Sequence, residues 1–311
     1  MEIDINHYLE KFKGVPFNYI PNYGNAGDCL IASGTFQVFD SIGLSYQIKD
    51  REKFDYKDKV VIYGGGGNLG NDTTGSYKIL KRINKEAKHI TILPHTIKDI
   101  DELLTSFGSN VDIICRERQS YEYVKKVAVH ANTYLCDDMA LNLKVNFIDN
   151  GKFTIVDKIN VSITYLANKL NLSQSQVPSK NGIFKMWFIN KKLKKLKKLK
   201  KLKKHNDQSK VLYAFRKDGE KTDIEIPNGN IDISEELAIS ASEKKVTQYN
   251  SKIFLKFIDN FDIIHTNRLH VCIGAALLNK EVHFHGCNYF KCKAVYEYTL
   301  KEKFSNITWY N

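Results

Sequence analysis

Residues 59–71 read Lys59-Val60-Val61-Ile62-Tyr63-Gly64-Gly65-Gly66-Gly67-Asn68-Leu69-Gly70-Asn71. The first five have the composition of a short buried strand. The four consecutive glycines that follow are costly in conformational entropy, which predicts a loop that must come very close to something. No Gly-Lys-Ser/Thr follows, so this is not a P-loop, and no acidic residue ends a second strand at the distance a dinucleotide site needs. The expectation is a ligand-contacting loop at a strand end, with Gly65, Gly66, Gly67, Asn68 and Asn71 as its candidate residues.

Outward from this stretch the same unit recurs. His89–Leu93 is β-rich and is expected to end at Pro94, and Val111–Cys115 runs into the charged cluster Arg116-Glu117-Arg118. Segments 76–87 and 120–127 between and after them have helical character. Strand, polar loop and helix in repetition predict a parallel sheet with crossover helices. The polar clusters follow the strands, where open α/β sheets place their ligand sites. The pattern returns after residue 210. Lys210–Phe215 reads as a strand leading into Arg216, and Ser234–Ile258 as one or two helices with Ser234 as N-cap. Phe261–His265 then reads as a strand, 269–278 as a helix and Glu281–His285 as a last strand. Two α/β domains are expected, at 1–150 and 151–311, the second with a basic, Lys-rich insertion at 190–205.

A chain of 311 residues suits two domains of ordinary size. The net charge of +12 is local, because Lys191–Lys204 holds ten lysines and no acid, which leaves about +2 elsewhere. The leucines of that run recur every third residue, behind the helical period, and so form no narrow stripe. Its readings are a solvated charged helix or a surface for anionic lipid. Aromatic residues for base stacking do not interleave it, so no specific nucleic acid is expected. The six cysteines contain no C-x-x-C pair, and neither a disulfide framework nor a metal site is expected. An acidic N-terminus and the lack of a long apolar run lead us to expect a cytoplasmic protein, peripheral on the membrane at most.

The clusters that could carry chemistry fall at the predicted strand ends. Asn22–Asp28 precedes a helix-like run and has the glycines and free N–H groups of an anion site, or of an ordinary capped turn. Arg116 is placed either to grip phosphate or carboxylate or to pair with Glu117 on the surface. Arg216-Lys217-Asp218-Gly219-Glu220, His265–His270 and Asn288-Tyr289-Phe290-Lys291 offer cations and imidazoles. His270, beside Arg268, is the stronger acid–base candidate, and His265 is expected to be packed.

Taken in order, these motifs resemble those of the polysaccharide pyruvyl transferase family. The motifs are Asn-x-Gly-Asp at 25–28, the glycine loop at 64–70, Leu-Pro-His-Thr-Ile at 93–97 and Arg-Glu-Arg-x-Ser at 116–120. Asp-Asp-Met-Ala at 137–140, Arg-x-Asp-x-Glu at 216–220, Arg-Leu-His at 268–270 and Asn-Tyr-x-Lys at 288–291 complete the set. The resemblance implies two Rossmann-like domains facing a cleft in the GT-B manner. It implies phosphoenolpyruvate as donor and co-substrate, a sugar or lipid-linked saccharide as acceptor, and no cofactor. By the same resemblance Arg216, Arg268, Lys291, Asn288 and Tyr289 would hold the donor, and His270 and Asp28 would be catalytic. Gly65, Gly66, Gly67, Asn68, Asn71, His95 and Arg116 would face the acceptor. Two positions depart from the family's pattern: Asn267 stands where Asp often precedes Arg-Leu-His, and Asn71 where the glycine loop often ends in Asp. The competing expectations are a GT-B glycosyltransferase using a nucleotide-sugar and a non-catalytic scaffold of polysaccharide assembly.

Overall fold

A computed structural model describes residues 1–146, 210–220, 224–239, 241 and 243–311. The lysine run lies outside the described residues. The chain divides into two compact units: Met1–Tyr23, Leu30–Lys144 and Gly286–Ser305 form unit 1, and Gly24–Cys29, Val145–His285 and Asn306–Asn311 form unit 2. Segments 24–29 and 286–305 are thus each grouped with the half opposite to their place in the sequence.

Unit 1 opens with helix α1 (Ile5–Leu9) and strand β1 (Phe17–Ile20), followed by α2 (Ala26–Ile42), whose first residues are grouped with unit 2. Then come β2 (Tyr46–Ile48), β3 (Val60–Tyr63), β4 (Gly66–Leu69), α3 (Gly75–Glu86), β5 (His89–Ile97), α4 (Asp101–Thr105), β6 (Val111–Cys115), α5 (Arg118–Val127) and β7 (Asn132–Leu135). The sheet runs β2-β1-β3-β5-β6-β7, with β4 also on β5, and its named pairings are parallel. Amphipathic helices cover it. In α3, Tyr77, Ile79, Leu80 and Ile83 face inward, and each such side chain contributes roughly 1.5–3 kcal/mol on burial.

Two expectations are corrected here. The β5 strand does not end at Pro94 but runs through it to Ile97. The β5–β6 register shifts between Ile92 and His95, so the residue that lacks an N–H sits where ladder pairing is interrupted. The glycine stretch is not all loop either, since Gly66–Leu69 forms β4. Strand formation needs only backbone groups, and Gly66 and Gly67, without bulk, open a strand that continues through Asn68 and Leu69 beside β5.

Unit 2 contains β8 (Val211–Ala214), the short helix α6 (Ile233–Glu236), α7 (Lys244–Ile258), β9 (Ile263–Thr266), α8 (Leu269–Leu277) and β10 (Glu281–His285). Asp232, not Ser234, is the N-cap residue of α6, and Ser234 is buried as the helix's second residue. Residues 286–305 then carry a helical run from Lys291 to Lys303 back into unit 1, and β11 (Ile307–Tyr310) closes the unit 2 sheet. That sheet is parallel in the order β8-β9-β10-β11. Leu212, Ile264, Val282 and Phe284 are fully buried in it. Both units are therefore mixed α/β with parallel sheets, consistent with Rossmann-like folds.

Candidate functional site

The strand order 2-1-3 in unit 1 makes the gap beyond β1 and β3 the topological switch point, where connections diverge and ligands are usually bound. Asn22 lies just past the end of β1 and the glycines just past β3. The four glycines are close-approach residues. A Cβ on Gly64 would come within 2.6 Å of the Asn22 backbone nitrogen, and one on Gly65 within 2.6 Å of the Pro94 carbonyl. One on Gly66 would come within 2.1 Å of Asn22 Nδ2, and one on Gly67 within 2.4 Å of an Arg116 guanidinium nitrogen. What the glycines approach is largely the protein itself.

Beneath them is a polar network. The Asn22 and Asn68 amides bond reciprocally at 2.9 and 3.1 Å. The Ser76 hydroxyl lies 2.9 Å from Asn68 Oδ1, and Tyr63 donates to Ser76 at 2.9 Å. His95 Nε2 is 3.2 Å from Asn68 Oδ1, an atom that only accepts, so that nitrogen carries the proton. His95 is fully buried, and burial together with the neighbouring Arg116 charge lowers it to about 3. It is a neutral, structural donor, not the cleft-facing residue the sequence leads one to expect.

Arg116 is neither a surface pair nor solvent-facing. It is 1 % exposed, donates to Thr96 at 2.8 Å and bonds Asp138 at 2.6 Å. Glu117 is buried as the N-cap of α5, and burial raises its carboxyl above the usual range. Nearer the surface, the aliphatic stem of Lys291 packs toward Gly67, 3.3 Å from where a Cβ would stand. The ammoniums of Lys291 and Lys98 lie 4.6 and 5.0 Å from the Tyr289 ring centroid. Asn288 is exposed beside them. Lys98, partly buried here, gives no signal in the sequence, where it is one lysine among many. Asn71 accepts from the Thr73 N–H and hydroxyl at 3.1 and 2.6 Å and so shapes the turn into α3.

In unit 2 the C-terminal edge of the sheet collects the other candidates. Asn25 Oδ1 accepts from Gly27 N at 2.8 Å while Asp28 Oδ2 accepts from Asn25 N at 2.8 Å. This reciprocal pair is a capping box at the start of α2, and it commits one Asp28 oxygen to the turn. His270 stands in the first turn of α8, after β9. Its ring lies against Gly27, where a Cβ would come within 2.5 Å of Nδ1. Asn267 Oδ1 accepts from the Arg216 N–H at 2.8 Å and so links the ends of β8 and β9; an Asp oxygen would serve equally.

Arg216 bonds Asp218 through Nε at 2.7 Å and pairs with Glu220. Arg268 grips Asp232 in bidentate fashion at 3.0 and 2.5 Å and reaches Asp218 at 3.1 Å and Glu235 at 3.4 Å. Burial alone would raise the Asp218 carboxyl, but the Arg216 hydrogen bonds and the charges of Arg268 and Arg216 hold it at about 2. Two guanidiniums thus face four carboxylates. The pairing of Arg268 with Asp232 and Glu235 spans α7 and β9 and has no local spacing that a sequence reading could find. His265 is half-buried as expected, stacked on His283 at 4.2 Å between centroids and 3.3 Å from His285 Nε2. Among the described residues no group of His, Cys, Asp or Glu could hold a metal ion, and no helix is long and apolar enough to cross a membrane.

A family model described as polysaccharide pyruvyl transferase matches residues 25–286. A crystal structure of a functionally uncharacterized protein from Klebsiella pneumoniae subsp. pneumoniae NTUH-K2044 is similar in fold, with a TM-score of 0.72 and 22% identity. The match covers 98% of this chain and 96% of that one. No curated protein matches the chain.

Proposed function

The chain belongs to the polysaccharide pyruvyl transferase family and is by that membership a transferase; from this premise we propose that it moves pyruvate from phosphoenolpyruvate onto a sugar diol, as a ketal, during surface-glycan or exopolysaccharide synthesis. The observation that carries the reading is the placement of His270 in the first turn of α8, seated on Gly27 and two residues from Arg268. An imidazole so placed can give and take a proton at the reacting atoms.

In the proposed reaction His270 delivers a proton to the donor's methylene carbon. The adjacent carbon becomes cationic and is attacked by a sugar hydroxyl. Its bond to the phosphate oxygen then breaks and inorganic phosphate leaves; a second hydroxyl closes the ketal, the first hydroxyl's proton returning to His270 and the second's passing to the departing phosphate. Arg216 and Arg268 hold the donor's phosphate and carboxylate, displacing their half-exposed partners Asp218 and Glu220, while Asp232 stays in place to orient Arg268. Lys291, Tyr289 and Asn288 contribute to donor binding, and Asn68, with the glycine strand beside it, to acceptor binding. The acceptor is a free or lipid-linked saccharide. The lysine run brings the protein to an anionic membrane surface.

The test is a thermal-shift titration with phosphoenolpyruvate beside a panel of nucleotide-sugars, with Arg216→Ala as control. A shift with phosphoenolpyruvate that Arg216→Ala loses is expected. A shift with a nucleotide-sugar alone would replace this donor by glycosyl transfer, and no shift with either would point to a scaffold. His270→Ala should abolish turnover and leave the phosphoenolpyruvate shift intact; normal turnover would remove His270 from the chemistry.

A further inference from the structure

The segment carrying Asn288, Tyr289 and Lys291 is bracketed by two thiols, Cys287 and Cys292. Their sulfurs lie 3.4 Å apart. Cys287 also lies 3.3 Å from the Tyr289 carbonyl, so the segment folds back over its own first thiol. A disulfide needs a separation of about 2.05 Å, which these sulfurs reach by closing little more than about 1 Å.

The other cysteines differ in kind. Cys29, Cys115, Cys136 and Cys272 are buried, and burial pushes the Cys29 and Cys136 thiols up to about 12 and those of Cys115 and Cys272 well up too. Such thiols are inert, because the thiolate is the reactive form. Cys287 is the half-exposed member of the six. An accessible thiol beside a buried second one is the arrangement of an attacking and a resolving cysteine.

We propose that Cys287 and Cys292 form a reversible oxidation site whose substrate is a peroxide. The Cys287 thiolate attacks the peroxide, the O–O bond breaks, and a sulfenic acid and one water result. The Cys292 sulfur then attacks the sulfenic sulfur, expels a second water and closes the disulfide. Two thiols and one hydrogen peroxide become one disulfide and two waters, and a reducing dithiol reverses the change. With the thiols free, this segment holds the Lys291 stem against Gly67 and the Tyr289 hydroxyl 3.5 Å from where a Gly70 Cβ would stand, and closing the ring tightens it. Oxidation therefore shifts both side chains away from their positions along β4. That this weakens donor binding rests on the function proposed above.

The full-length protein is treated with hydrogen peroxide, alkylated and digested with trypsin. Lys291 lies between the two cysteines, so cleavage after it leaves the disulfide joining two separate peptides, released from each other only by reduction. The linked pair is expected, reversed by dithiothreitol and absent in Cys287→Ser. A free Cys292 beside an over-oxidised or singly modified Cys287, or no reaction at either, would overturn the site. In the same samples oxidation should reduce the phosphoenolpyruvate-induced melting shift severalfold, while Cys287→Ser keeps it with or without peroxide. A linked pair with an unchanged shift would overturn the coupling. A reduced protein that gives no shift at all would count against the donor, and the peptide readout would still decide the oxidation site.

Discussion

His270 owes its position to a residue that has no side chain. Gly27 is the second residue of α2, where alanine would be favoured by propensity by roughly 0.5–1 kcal/mol. Here a methyl group would meet the imidazole at 2.5 Å. Gly27→Ala should therefore lower kcat by roughly ten- to a hundredfold, since misplacements of about 1 Å have that effect. Its melting temperature should recover when His270→Ala is added; a Gly27→Ala enzyme with normal kcat would separate the ring's seat from catalysis. His95 gives a pH signature instead. Its folded-state value of about 3 lies below the ordinary histidine value of 6.5, so the unfolded chain binds the extra proton. Stability is intact above pH 6.5 and falls as pH drops toward 3, by up to about 1.4 kcal/mol per pH unit. His285, lowered to about 4 by burial and by His265 and His283, acts in the same direction. Urea denaturation between pH 6.5 and 4.5 should show the slope, and His95→Gln should remove its share. The carboxylates held low, such as Asp218, act only below the ordinary Asp value of 3.8.

At the scale of elements, the Arg116–Asp138 pair joins the end of β6 to the turn after β7, with both side chains essentially excluded from water. Removing one partner strands the other charge. Asp138→Ala should cost on the order of 3–5 kcal/mol in urea denaturation, and adding Arg116→Met should recover part of it. A loss below about 1 kcal/mol would mean that Arg116 finds another partner. This pair also marks where the sequence stops being legible. The strands at 60–63 and 111–115 and the 89–93 part of β5 announce themselves by β-branched runs, those at 211–214 and 281–285 by mixed β-branched, aromatic and aliphatic residues, and the helices after them by their period. The short strands at 17–20 and 132–135 carry a polar residue in the run and do not. The glycine stretch signals close approach, but not that its partners are Asn22, Pro94 and Arg116. Arg116 itself reads as a surface or ligand-gripping cation, because burial of a charge depends on a carboxylate twenty-two residues away. His270, Arg216 and Arg268 stand out in the sequence because they follow strands, and the fold puts them at one sheet edge. Asp218 and Glu220 share a motif with Arg216, whereas Asp232 and Glu235, the further partners of Arg268, stand more than thirty residues before it and give no signal.

For the whole molecule, the charge is concentrated in one place. Replacing the ten lysines of Lys191–Lys204 by glutamine would take the formal charge from +12 to about +2. The intact protein should sediment with vesicles rich in anionic phospholipid at low salt, release as salt rises, and lose that association in the glutamine variant. Equal sedimentation of both proteins would assign the run no role at the membrane. Donor-induced melting shifts should be the same for both.

The chain's course between the two units sets a schedule for synthesis. Unit 1 begins with the first residue, yet it incorporates Gly286–Ser305, where Thr299 donates to Asp137 at 2.7 Å and Tyr298 to Glu2 at 2.9 Å. Those bonds cannot form until residue 299 has left the ribosome. At about 5–20 residues per second, the earliest-made strands wait on the order of tens of seconds for this helix. During that interval the nascent chain exposes the ground on which that helix will rest, and a ribosome stalled near residue 285 would hold a client for chaperones.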